Sequence, residues 1–173
     1  MRPETDISIR PYQPDDAVAL HAAALESVAE VHPFMAWCHA GLALGEMVAW
    51  IDTQVAAFAA CKSYEFAILS ADGRFLGACG LNQIDDANRR ANLGYWVRTS
   101  AAGRGVATAA VRQLVRWGFE NTDLVRLEVI VSTQNAGSLR VAEKSGAWRE
   151  GILRKRLLLH GTPHDAVVFS FVR

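Results

Sequence analysis

Gly103 and Gly105 stand one residue apart in RTSAAGRGVATAAVRQLVRWGF, residues 98–119, and an apolar-striped segment follows at once. Glycine reaches left-handed backbone conformations and lets another group come close to the chain. A helix beginning directly after such a loop leaves its first amides without intrahelical acceptors, and its dipole favours an anion there. The amides of Gly103, Arg104, Gly105, Val106 and Ala107 thus make an anion site suited to a pyrophosphate, flanked by Ala102 and Thr108, with Arg98 and Arg104 adding charge. On the loop alone, a tight turn into a core helix explains the glycines equally well. A Walker loop is excluded, since no GxxxxGK[ST] occurs. A Rossmann fingerprint is missed by one residue, with Thr108 in its last place, and too little chain follows for a doubly wound fold.

The elements that must position this loop follow from periodicity. Residues 7–12 alternate as a first strand, and Pro14-Asp15-Asp16 opens an Ala-rich helix to about Val31 with Asp15 as its N-cap. Residues 32–38 (HPFMAWC) connect to a second helical stretch over 41–61. There Leu44, Val48, Ile51, Val55 and Phe58 share one face. Strands are expected over 64–70 and 75–84, joined by an Asp72-Gly73 hairpin turn. A further strand runs over 91–97 into the glycine loop. The next helix puts Ala107, Ala110, Val111, Leu114, Val115 and Phe119 on one face. A strand over 125–131, a short helix over 135–145 ending at Gly146, and a final hairpin of 148–159 and 164–172 complete the chain. The whole of 1–173 reads as a single mixed α/β domain.

The 173 residues suffice for a substantial core, and 51% hydrophobic with 21% charged residues is the profile of a soluble globular protein. Lys+Arg and Asp+Glu balance at 18 each, giving no charge argument for nucleic acid or an anionic membrane. The N-terminal MRPETDISIRP lacks the apolar core of an export signal, and a cytoplasmic location is expected. Cys38, Cys61 and Cys79 form no CxxC pair and read as buried small hydrophobes in a reducing compartment. His160 and His164 flank a turn without a third ligand, so no metal is expected.

The loop SAAGRGVATAAV resembles the acetyl-coenzyme A loop of the GCN5-related N-acetyltransferases, with Gly105 central and Ala107 closing. NAGSLRVAEKSGAWREGILR (135–154), LGYWV (93–97) and HGTPHDAVVFSFV (160–172) resemble corresponding segments of the RimJ/RimL-like branch, in the same order. The resemblance implies a mixed, mostly antiparallel central sheet flanked by helices and splayed between the GYWV and VRLEVIV strands, with the pantetheine arm entering that gap. It departs at Ala102, where the family carries Gln or Arg, and at Asn92 and Ala109, where relatives often carry Glu.

The chemistry so implied is direct transfer of an acetyl group from acetyl-CoA to a primary amine. At pH 7 an α-amine of pKa ~7.8 is roughly 14% neutral and a lysine of pKa ~10.4 about 0.04%, so a chain without an obvious base favours a protein N-terminal α-amine. Glu128 is the one strand carboxylate weighed as a base. A backbone amide around Trp96, Val97 or Arg98 takes the oxyanion role. Ser138 matches the serine that can protonate the leaving thiolate, and Asn135 the asparagine that contacts the cofactor; by local reading both are helix-start residues. Phe34, Trp37 and Trp50 fall where relatives wall the acceptor site, and each could equally pack in the core. Rival readings are a small-molecule amine acyltransferase, a non-catalytic CoA-binding module and a nucleotide oxidoreductase. The chain is expected to be a monomer or homodimer.

Overall fold

The computed structural model describes residues 6–173; residues 1–5, part of the stretch that bears on export, lie outside them. Strand β1 (Ile7–Pro11) leads into a 3-10 turn at Pro14–Asp16, then α1 (Ala17–Glu26) and α2 (Val28–Val31). The N-cap position of α1 falls on Asp16, not Asp15, and its side chain reaches back instead of capping α1, accepting the Gln13 amide at 2.8 Å and holding the Arg10 guanidinium at 2.7 Å. The expected continuous helix to Val31 also breaks at buried Ser27. Its hydroxyl donates to the Ala23 carbonyl at 2.7 Å and accepts from the Thr99 amide at 3.0 Å, which draws the helix toward the glycine loop.

Helix α3 (Leu44–Ala59) begins three residues later than expected, with Glu46 accepting the Ala43 amide at 2.8 Å. The expected face is buried only in part: Ile51 is buried and Phe58 packs against the core. Met47 is buried as well, whereas Leu44, Val48 and Val55 are about 40% exposed or more. The helix carries two adjacent apolar stripes, and spacing alone cannot choose between them. Cys61, just beyond it, is exposed, unlike Cys38 and Cys79.

The sheet comprises β2 (Tyr64–Ser70), β3 (Phe75–Asp85), β4 (Arg90–Val97), β5 (Arg126–Ser132), β6 (Trp148–Leu159) and β7 (Thr162–Val172), together with β1. Its order is β1-β2-β3-β4-β5-β7-β6. Every neighbouring pair is antiparallel except β4–β5. That parallel pair is brief: Arg90, Ala91 and Asn92 lie beside Arg126, Leu127 and Glu128, and no pairing follows. Beyond it β4 stays with β3 as far as Val97 and β5 stays with β7 as far as Ser132, so the sheet opens between them as expected.

Ion pairs secure the closed end. Arg126 binds Glu128 at 2.7 Å and Glu150 at 2.6 Å, and Arg90 reaches Glu128 at 3.3 Å. Helix α4 (Val106–Asn121) covers one sheet face with Val111, Leu114 and Gly118 buried, and α5 (Ala136–Ser145) packs beside it. Helices α1 and α3 cover the other face, where a second core gathers around Leu20, Ile51, Ala67 and Trp96.

Candidate active site

The glycine loop is shaped as an anion cradle. Gly103 and Gly105 hold φ of 73° and 85°, in the left-handed region that favours glycine, and α4 starts at the next residue, Val106. A groove of about 370 Å³ runs from this loop past Val97 to Asn135 and Ser138. Its wall carries Arg140 and Lys144 from α5. Open left-handed glycines at a helix start, with two cations opposite, fit a pyrophosphate-bearing ligand such as acetyl-CoA.

Not every expected contact turns toward the groove. Trp96, Val97, Ala102, Gly103, Gly105, Val106, Ala107, Thr108, Asn135 and Ser138 all line it. Arg98 does not: its guanidinium pairs with Glu26 and donates to the Phe75 carbonyl at 3.1 Å, while its amide donates to Leu76 at 2.8 Å. Arg104 is also absent from the lining. The Ala102 amide is taken by the Thr99 carbonyl at 3.1 Å, closing the 3-10 turn at Thr99–Ala101. Since successive strand amides point to opposite sides, an Arg98 amide directed at β3 turns the Val97 amide toward the gap.

Asn135 caps α5, its Oδ1 accepting the Ser138 amide at 3.0 Å. Ser138 is not alone. The Tyr95 hydroxyl, from β4, lies 2.9 Å from Ser138 Oγ and 3.0 Å from the Ser138 carbonyl. This pair bridges the two lips of the gap. Burial pushes the Tyr95 phenol up to about 12, against the Ser138 hydrogen bond, so it stays protonated at neutral pH. Tyr95 lay inside the expected GYWV strand, but only the fold brings it to Ser138.

A second cavity, of about 450 Å³, lies on the α1/α3 side of the sheet. Trp37 and Trp50 line it; Phe34 does not, and lies along the groove instead. Trp37 packs edge-on to Trp96 at 5.4 Å and Trp50 edge-on to Tyr12 at 5.2 Å. Met35, Tyr95 and Trp96 line both the cavity and the groove, so the two meet at β4.

Glu65, which the sequence did not single out, is the cavity's carboxylate. Its Oε1 accepts from Asn82 at 3.0 Å, and Asn82 in turn accepts from Asn92 at 2.9 Å. Burial raises the Glu65 carboxyl above its ordinary value, with the Asn82 hydrogen bond opposing. The clue available in YEFAILS was a charged residue inside an otherwise apolar strand. Glu128, the carboxylate weighed as a base, is instead engaged by Arg126 and Arg90 at the closed end of the sheet. At the hairpin tip, His160 is paired with the His32 carbonyl at 2.8 Å.

Comparison with known proteins places these features in context. The acetyltransferase (GNAT) domain model matches residues 6–147. A Bacillus subtilis (strain 168) protein described as "Putative ribosomal N-acetyltransferase YdaF" is 35% identical over 102 residues, 59% of this chain and 56% of that protein. The chain thus spans little more than half the length of the curated relatives it matches first. Among solved structures, a "Probable acetyltransferase" aligns with a TM-score of 0.88 at 28% identity, covering 97% of this chain and 93% of that one. Mycobacterium smegmatis RimJ in complex with CoA-disulfide aligns with a TM-score of 0.88 at 25% identity, covering 98% and 83%.

Proposed function

The chain belongs to the acetyltransferase (GNAT) family, and on that premise we propose that it moves an acetyl group from acetyl-CoA to a primary amine by direct transfer, the acceptor being a protein N-terminal α-amine. One observation carries this reading: the anion-binding groove and the aromatic cavity meet at Tyr95 and Trp96, beside the opened sheet. A donor entering from the glycine loop and an acceptor entering from the α1/α3 side would face each other there. Proximity of that kind converts an encounter of two molecules into an internal step.

The residues divide the work. The amides following Gly103 hold the donor's pyrophosphate, and the unpaired strand edges in the gap offer backbone partners to an extended arm. The Val97 amide supplies the oxyanion donor. The Ser138–Tyr95 hydroxyl pair delivers the proton to the departing sulfur. The relative described as a ribosomal N-acetyltransferase and the CoA-bound RimJ support this assignment of donor and acceptor.

The cavity favours a second reading. Rings of Trp37, Trp50 and Tyr12 confine it, and about 450 Å³ suits a compact amine as well as one or two N-terminal residues. Thiol release from acetyl-CoA with a panel of N-terminal peptides, lysine and polyamines separates the two. Peptides carrying a free α-amine should be preferred, and Ser138→Ala should slow their acetylation about tenfold or more. If the protein binds acetyl-CoA and no amine accelerates thiol release, the enzyme reading is lost.

A further inference from the structure

Glu65 and two glycines form one row across the sheet. Glu65 on β2 lies beside Gly80 on β3, and Gly80 beside Gly94 on β4. All three belong to the face that carries Ala67, Ala78 and Trp96, since residues two apart share a face. The Glu65 carboxylate is folded flat along this row. A Cβ placed on Gly80 would meet Glu65 Oε2 at 2.0 Å and its carboxyl carbon at 2.2 Å. The space where Gly80 has no side chain is therefore filled by the Glu65 carboxylate. The next position, Gly94, lines the same cavity and again has no side chain. A lane free of side chains runs from Glu65 toward the strand that borders the gap.

Two polar groups in the cavity are short of partners. Hydrogen bonding accounts for Oε1 of Glu65, through Asn82, and the Tyr12 hydroxyl is fully buried with no hydrogen-bond partner. Buried polar groups are normally satisfied, so an orphan hydroxyl facing a cavity points to a ligand that completes it. The titratable groups near Glu65 are Tyr12, just after β1 in the cavity wall, and Cys79 beside it on β3, and burial raises both so that they stay neutral. Gln54 of α3 and Asn82 are uncharged, and no lysine, arginine or histidine lines the cavity among the described residues. An uncompensated carboxylate in an aromatic pocket calls for a cation.

We propose that Glu65 is the acceptor's base: it binds the incoming primary ammonium in the glycine lane and takes its proton, while the Tyr12 hydroxyl pairs with a polar group on the acceptor. This rests on the acetyl-transfer reading above. The ammonium gives one proton to the Glu65 carboxylate, and the freed nitrogen lone pair forms the C–N bond to the acetyl carbon. The C–S bond breaks and its electron pair stays on sulfur. The second nitrogen proton leaves as the amide forms, matching the proton that the sulfur gains, and Glu65 returns its own to water. The carboxylate that relatives often carry at the Asn92 position is thus replaced from a neighbouring strand, with Asn92 and Asn82 kept as its hydrogen-bonded support.

Glu65→Gln tests this, because its side-chain carbonyl still accepts from Asn82. Acetyl-CoA affinity by calorimetry should match the wild type, while kcat/KM for the best amine at pH 7 should fall about 100-fold or more. The wild-type rate should rise with pH through an apparent pKa above 4.5, a limb that the variant lacks. That limb is read on the wild type alone, so it stands even if the variant folds poorly. A variant within threefold of wild type, or one that keeps the acidic limb, overturns the role of Glu65 and leaves acetyl transfer standing. A wild type that binds acetyl-CoA and acetylates no amine overturns both.

Discussion

Tyr12 carries the clearest conflict between stability and use. Its hydroxyl is buried without a partner, and its ring meets Trp50 edge-on at 5.2 Å. Leaving such a group unsatisfied costs about 1–3 kcal/mol. Tyr12→Phe keeps the ring contact and removes the cost, so urea unfolding should show the variant more stable by about 1 kcal/mol or more. The same change should raise the acceptor KM several-fold with kcat nearly unchanged, since it removes a binding contact and no proton carrier. A destabilised variant would mean that the hydroxyl has a partner in the folded protein. Such conflicts are expected where a fold gives up stability for a site. At this scale the sequence was legible where chemistry is local: the glycine pair, the Asn135 cap and the Ser138 position all follow from neighbours in the chain. Tyr12, Glu65 and Tyr95 were not, because each acquires its role from a residue distant in the chain: Trp50, Asn82 and Ser138 respectively.

At the level of elements, the glycine loop is held by the helix that breaks at Ser27. Glu26 binds the Arg98 guanidinium and accepts the Ser100 amide at 2.8 Å, and Glu30 accepts the Thr99 hydroxyl at 2.7 Å. The Arg98 guanidinium and the Ser100 hydrogen bonds hold the Glu26 carboxyl down at about 2, from an ordinary 4.5. A carboxyl whose folded value is depressed adds stability above the unfolded value and loses it as pH falls toward the folded one. Glu26→Gln should therefore melt below wild type at pH 7, and the two melting curves should converge between about pH 4.5 and pH 2. Curves that stay equally separated at every pH would show that charge is not what holds the loop. Alternation and turn residues foretold each strand of the sheet, because those signals are written along a single segment. They could not foretell that α1 breaks, since Ser27 is taken by an amide 72 residues away. They also missed that α3 buries Met47 beside Ile51 while Leu44, Val48 and Val55 stay exposed, because two apolar stripes compete there. The row Glu65–Gly80–Gly94 was hidden for a related reason: it exists only once three strands are in register.

The whole molecule is a sheet in two parts joined by three residue pairs. A ligand lying in the gap would touch both parts at once. Coenzyme A should therefore slow amide exchange on both lips together, over residues 93–97 and 129–132, and leave β6 unchanged. Protection of only one lip would show that the ligand lies against a single strand rather than between two. The distribution of indoles adds a practical consequence. Of five tryptophans, Trp37, Trp50 and Trp96 ring the cavity, Trp117 sits in the opposite core, and Trp148 stands 76% exposed at the sheet's edge. Only Trp96 also borders the groove. The protein thus carries its own optical reporters: donor binding should disturb the emission of one indole and acceptor binding that of three, with Trp148 as an internal reference open to an aqueous quencher. Order of binding can then be followed on the unlabelled protein, without waiting for turnover.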